Sequence, residues 1–293
     1  MSDLPKISVI TPSFNSIHTI RNTIESVRSQ AYQNWEHIVI DGASTDGTVD
    51  LLKQYPHLSW LSEKDEGHYH AMNKGIQRAT GDIVYILNSD DCVRPGVFQM
   101  VAEAFREHPE WDALFGDARF VDDNGTFIFS RREACYDYNV LRYIRFCYII
   151  HQALFVRKAV HDQIGLYRHK DFLNGCDYEF ILRLGKSGYK VGHLPFYLVD
   201  YRFHEHGQSA DLRVKRNMYR EAGIICREYG RPDGMLGRVY RTLYRLKRQL
   251  QKLFYRGVVD LMPGSWILRF RKQLKERTSF TSNIDIGKLR DKD

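Results

Sequence analysis

Cysteine is sparse and unpatterned in this chain. Cys92, Cys135, Cys147, Cys176 and Cys226 are five in number with no C-x-x-C spacing, which argues against both a disulfide scaffold and a zinc ribbon and fits a reducing cytosol. Long apolar runs are missing as well. No uninterrupted stretch approaches the roughly 18–20 residues that span a bilayer. The opening MSDLPKISVITPSFN has neither the basic n-region nor the apolar h-region of an export signal. Low-complexity tracts are absent and 43 % of residues are hydrophobic, so wholesale disorder is not expected. What remains is a 293-residue chain with enough length for one large α/β domain, or a domain and an appendage. The expectation is a cytoplasmic protein, soluble or attached peripherally to the inner face of the cell membrane.

Acidic residues are scarce in one segment only. Residues 213–277 hold 18 Lys or Arg against 5 Asp or Glu, a net of +13 in a chain whose total is +7, so the other 228 residues carry −6. A basic chain ordinarily raises nucleic acid as a partner. Here the excess sits in one appendage without a nucleic-acid motif, and nucleic acid is not the expected partner. The division this suggests is a mildly acidic body over 1–211, a basic amphipathic helical arm over 212–277 and a frayed tail over 278–293.

Along the body, short β-branched runs at 6–11 (KISVIT), 35–41 (WEHIVID), 57–61 and 82–87 (DIVYIL) alternate with helix-like stretches at 17–30, 45–55 and 69–79. Strand, helix and strand at this spacing predict βαβ crossovers and a mostly parallel sheet covered by helices. Ligands of such sheets bind beyond the carboxyl ends of the strands. Three polar clusters fall there: Thr11-Pro12-Ser13-Phe14-Asn15, the 41–48 segment DGASTDGT, and Asn88-Ser89-Asp90-Asp91. Residues 96–210 read as further strands and helices completing one wall of a cleft.

Asp41, at the end of its strand, can accept hydrogen bonds from a base or ribose, whereas Asp46 reads as a cap for the next helix. Adjacent carboxylates at Asp90 and Asp91, after a buried strand, are costly without compensation. They suit Mg²⁺ or Mn²⁺, which in turn bridges nucleotide phosphates; the plainer alternative is an acidic cap on the helix that Pro95 helps start. The segment 62–75 (SEKDEGHYHAMNKG) leads into a helix whose amino terminus, with basic groups nearby, suits phosphate.

Taken together, TPSFN, DGASTDGT, the 63–75 segment with its AMNKG core, and NSDD resemble family 2 inverting glycosyltransferases of the bacterial surface-polysaccharide and O-antigen type. The likeness covers roughly residues 5–210. It implies the type A glycosyltransferase fold, and transfer of a sugar from a nucleoside-diphosphate donor to a hydroxyl of a glycan or lipid-linked acceptor, with inversion. It further implies that Pro12, Ser13 and Asn15 border the nucleotide, that Asp41 contacts the base, and that Asp65 and Gly67 lie near base or ribose. Asn88, Asp90 and Asp91 correspond to the family's D-x-D region. Asn88 can still hydrogen-bond a ribose of the nucleotide sugar but cannot supply charge there, so Asp90 is the expected metal ligand, and Asp91, also expected at the nucleotide sugar, is its rival. His204 is expected as a second metal or diphosphate contact, and His151 lies near the acceptor. His70 stands where relatives usually carry Asp.

Inversion requires a base on the face opposite the leaving diphosphate. The resemblance assigns that role to Asp177 in GCDYEFILRL, with Cys176 replacing the usual polar neighbour; a helix N-cap is the alternative role for Asp177. Two rival functions compete. A sugar-phosphate nucleotidyltransferase would want a glycine-rich loop after the first strand, which TPSFNSIHT lacks. A non-catalytic nucleotide-binding scaffold would accommodate Asn88 and Cys176.

In the arm, Leu236, Val239, Leu243, Leu246, Leu250 and Leu253 keep a heptad. Three readings compete: a homodimer zipped through 236–253, packing on the body, and adsorption of 213–277 to an anionic membrane. Membrane contact, with the stripe partly packed on the body, is the expectation.

Overall fold

The computed structural model describes residues 4–133, 135–203, 212–232 and 234–261. His204, residues 262–277 of the arm and the 278–293 tail lie outside the described residues.

The first half follows the alternation of the sequence: β1 (Ile7–Ser13), α1 (Ile20–Arg28), β2 (Trp35–Asp41), α2 (Thr48–Leu52), β3 (Leu58–Ser62), α3 (His68–Arg78) and β4 (Ile83–Ile86). These four strands are parallel, in the order β3-β2-β1-β4. β1 and β4 are buried along their whole length, as expected of strands covered on both faces. Contact with the helical layer is close. A Cβ on Gly75 in α3 would stand 2.3 Å from Ile10 Cγ2 of β1, so only glycine lets the helix sit at this distance.

The second half adds β5 (Cys92–Val93), α4 (Val97–Glu107), β6 (Ala113–Val121), β7 (Phe127–Arg131), α5 (Tyr138–Ile144), β8 (Leu154–Arg157), α6 (Lys158–Ile164), α7 (Cys176–Lys186) and β9 (Val191–Arg202). The sheet runs β3-β2-β1-β4-β8-β6-β9-β5, with β7 on β6. β8 is antiparallel to both its neighbours, while β6 and β9 are parallel. The sheet is therefore mixed α/β, with its all-parallel part confined to β1–β4. Register sets up the site: Ser13 pairs with Asp41, and Asp41 with Ser62. Three strands thus end level and release their loops side by side.

The change of charge near residue 212 is not a change of packing. α8 (Leu212–Glu228) buries Ile225 and Cys226 completely, and the residues through Leu253 belong to one compact unit. α9 (Gly234–Leu261) lays Tyr240 and Tyr244 on Tyr143 of α5, with centroids 5.0 and 4.6 Å apart. Lys247 pairs with Asp137 at 2.7 Å and Arg248 with Glu133 at 2.6 Å. The expected packing of the leucine stripe on the body is not found. Its six residues are 48–67 % exposed, because the helix meets the body through tyrosines and cations instead.

Candidate active site

The loops after β1 and β2 are stapled reciprocally. Asn15, in the left-handed region at φ 47°, accepts from the Thr45 amide at 3.0 Å through Oδ1 while its own amide donates to Ser44 Oγ at 2.7 Å. Asp41 is fully buried and accepts from the Ser44 amide (2.9 Å), Ser44 Oγ (2.5 Å) and Ser62 Oγ (2.7 Å). Its carboxylate therefore also organises the turn from below. Asp46 behaves as a cap: it accepts from the Thr48 amide and hydroxyl and from the Ile17 amide. Against a burial effect that pushes the other way, these donors hold its carboxyl below the usual range.

The third loop folds over the second. A Cβ on Gly42 would meet Asp65 Oδ2 at 2.8 Å and Phe14 Cδ2 at 3.3 Å, so Asp65 and the 64 % exposed Phe14 ring flank a bare stretch of backbone. Asp65 Oδ1 accepts from the Gly67 amide at 2.8 Å. Gly67 has φ 110° and precedes α3, a conformation that excludes a side chain. Pro12 and Ser13 are buried behind Phe14, with the Ser13 hydroxyl lacking a protein partner. The AMNKG core is structural in this setting. The Asn73 amide clamps the Tyr167 backbone in both directions, at 2.9 and 2.8 Å, and Lys74 pairs with Glu63 at 2.7 Å.

The Asn88–Asp91 loop is pinned from two sides. Thr23 Oγ1 of α1 donates to the Asp91 carbonyl at 2.8 Å, and the Arg202 amide of β9 donates to Asp91 Oδ1 at 2.8 Å. Arg202 Nε also donates to the Asp90 carbonyl at 3.0 Å. Asp91 is 1 % exposed with Oδ2 unpartnered, whereas Asp90 and Asn88 are half-buried. Burial, then the charge of Asp90, pushes the Asp91 carboxyl well above the carboxylate range despite the Arg202 amide.

Asp177 reaches the same region through α3. It is half-buried in the first turn of α7, whose N-cap is Gly175, so the N-cap alternative fails. Its Oδ1 accepts from the Tyr69 hydroxyl at 3.0 Å and from the Tyr178 amide at 2.8 Å. Burial and then the Asp177 charge push the Tyr69 phenol well above its ordinary value, so it stays a donor at any working pH. Behind it, Tyr69 packs on Tyr167, whose hydroxyl meets His151 Nε2 at 2.7 Å. His151 is 6 % exposed and pushed down by burial, with Asp177 opposing. From α8, Glu221 accepts from the Leu173 and Asn174 amides at 3.1 and 2.9 Å, fixing the turn that leads into Asp177.

Among the described residues, Glu66, His70 and His169 place three ligand atoms within 4.8 Å of one another. The hydrogen bonds oppose a cation there. His70 Nδ1 accepts from the Glu66 amide at 3.0 Å, and the amide group of Asn73, fixed by Tyr167, donates to His169 Nδ1 at 3.1 Å. Each neutral ring then carries its proton on Nε2, the reverse of what a metal-bound imidazole requires.

A family model described as "Glycosyl transferase family 2" matches residues 8–165. The chain belongs to glycosyl transferase family 2. This makes it a glycosyltransferase, and the nucleotidyltransferase and scaffold readings give way. It is 32 % identical over 225 residues to YwdF of Bacillus subtilis, an uncharacterized glycosyltransferase, covering 73 % of this chain and 81 % of that one. It is 44 % identical over 93 residues to TuaG of the same organism, a putative teichuronic acid biosynthesis glycosyltransferase, covering 30 % of this chain and 36 % of the other. Among solved structures, S. aureus TarS 1–349 with UDP-GlcNAc aligns with TM-score 0.58 at 19 % identity, over 77 % of this chain and 72 % of that one. The chain spans only 42 % of the longer TarS structure. The likeness establishes the fold.

The sequence reading missed Tyr69, Arg202, Glu221 and Phe14. Only Phe14 left a signal, as an aromatic inside a polar strand-end cluster.

Proposed function

We propose that this glycosyltransferase is metal-dependent and inverting. Its donor is a nucleoside-diphosphate sugar and its acceptor a hydroxyl of a glycan or lipid-linked glycan in surface-polymer synthesis. The observation that carries the reading is Asp177, held by Tyr69 at the amino end of α7 and tied through α3 to the strand-end loops. Phe14, the Gly42 backbone, Asp41 and Asp65 receive the nucleoside, with Asn15, Pro12 and Ser13 shaping that wall. The Asp177 carboxylate takes the acceptor proton as the acceptor oxygen bonds to the anomeric carbon. The bond from that carbon to the diphosphate breaks, and its electron pair leaves on the nucleoside diphosphate. The attack from the opposite face inverts the centre.

The residues present fit a hard divalent cation, because two adjacent carboxylates include a buried oxygen, Asp91 Oδ2, that no protein group satisfies. Asp90, with Asp91 behind it, would hold Mg²⁺ or Mn²⁺, and such an ion would supply positive charge to the diphosphate. A donor panel led by UDP sugars, since TarS has been crystallised with UDP-GlcNAc, tests the reading with Mn²⁺ or EDTA. Turnover should require the metal, and Asp177→Asn should abolish it while donor binding, read by thermal shift, persists. Full turnover in EDTA or in Asp177→Asn refutes the corresponding part, and a product of retained configuration refutes inversion.

A further inference from the structure

We propose that the outward face of α9 is a docking surface for an anionic lipid membrane, with the leucine stripe entering the headgroup boundary and the neighbouring arginines meeting lipid phosphate. At 100° per residue, Leu236, Val239, Leu243, Leu246, Leu250 and Leu253 form one strip about 26 Å long. Such a strip is ordinarily the buried side of a helix. Here the body takes a different side, made of Tyr240, Tyr244, Lys247, Arg248 and Gln251, and leaves the strip 48–67 % exposed.

Charge decides what covers it. Residues 234–253 contain six Lys or Arg and no Asp or Glu. Lys247, Arg248 and Lys252 turn to Asp137 and Glu133 of the body. Arg238, Arg241 and Arg245 pair with no acid among the described residues, and Arg238 and Arg245 are exposed. A second copy zipped along the strip would bring three more arginines and no carboxylate to meet them. The flanking positions that guide coiled-coil pairing offer no complement either: Thr242 and Gln249 lie on one side, while Tyr240 and Lys247 on the other are committed to the body. An anionic bilayer supplies both what the leucines and what the arginines lack. The proposal stands apart from the assignment of the catalytic base, and its test does not read sugar transfer.

Full-length protein is sedimented with vesicles of phosphatidylcholine, or of phosphatidylcholine with 30 % phosphatidylglycerol, at low and high salt, beside light scattering for oligomeric state. Wild type should pellet with the anionic vesicles at low salt and remain in solution with the neutral ones. Leu243→Gln/Leu246→Gln/Leu250→Gln should weaken the partition at least tenfold. Arg238→Gln and Arg245→Gln should each weaken it about fivefold. Because the substituted side chains are exposed, each variant should keep the wild-type melting temperature and nucleotide-dependent thermal shift. Wild type that stays in the supernatant overturns the proposal. So does a stripe variant that binds as wild type does, or a wild-type dimer that the stripe substitutions turn into a monomer.

Discussion

Tyr69→Phe removes one donor from Asp177, together with the same hydroxyl's longer bond to the Asn174 carbonyl at 3.4 Å. The Asp177 Oδ1 atom has two donors, the Tyr69 hydroxyl at 3.0 Å and the Tyr178 amide at 2.8 Å, and the substitution removes only the first. The ring stays, with its contacts to His68 and Tyr167 at 4.0 and 5.7 Å between centroids, so the fold should hold. A hydrogen bond to a charged group contributes about 1.5–3 kcal/mol. The lower end applies because Asp177 is half-buried and water can replace part of the loss. About 1.4 kcal/mol is tenfold in rate. Loss of that donor should therefore lower kcat/KM about tenfold. The assay is initial rate of donor turnover, with melting temperature as control. A kcat/KM within twofold of wild type, with an unchanged melt, would show that Tyr69 only fills space.

Glu221→Ala removes the acceptor from two backbone amides three to four residues before Asp177; kcat should fall at least tenfold with the donor KM nearly unchanged, as steady-state kinetics would show. Gly75→Ala should lower stability by about 1–3 kcal/mol in denaturant titration, because the new methyl meets Ile10. Burial pushes Glu36 up, but hydrogen bonds from Ser8, the Thr80 amide, Lys6 and the Thr80 hydroxyl outweigh it and bring the carboxyl down to about 2. Its contribution is present above the unfolded value near 4.5 and lost as pH falls toward 2. Glu36→Gln should therefore cost roughly 2–3 kcal/mol at pH 7 and progressively less below pH 4.5. Burial likewise pushes His37 and His161 down to about 3. The unfolded chain protonates these rings near pH 6.5, so stability should decline between about pH 6.5 and 3, and His37→Gln should flatten that decline.

What the sequence made legible was local. β-branched runs and the polar residues behind them located four strands and three strand-end loops, because both signals lie within ten residues. The structural roles of Asp41 and Asp91, as posts for Ser62 and Arg202, depend on partners 21 and 111 residues away, and no spacing reports those. Tyr69 gave no signal of its own as the first residue of a helix-like stretch, since its hydroxyl acquires meaning only opposite Asp177. The heptad of α9 correctly signalled an apolar strip but not its direction. Periodicity finds a face, and here tyrosines and cations, not the leucines, form the inner one. Antiparallel β8 was equally hidden: Leu154–Arg157 is four residues long, too short to declare its orientation.

The clasp of Glu221 on Leu173 and Asn174 also bears on how this chain can be divided. Charge suggests a cut near residue 212, leaving a catalytic unit and a detachable basic tail. Such a cut would discard the contacts that hold the turn before Asp177 and the helix that carries it: Glu221 with its two amides, the Arg168–Glu228 pair, and the Tyr229 hydroxyl on buried Glu179 at 2.6 Å. A trimmed or chimeric enzyme must therefore carry its own α8 through Tyr229. An exchange of arms between relatives should be joined beyond that point, which leaves those contacts in place.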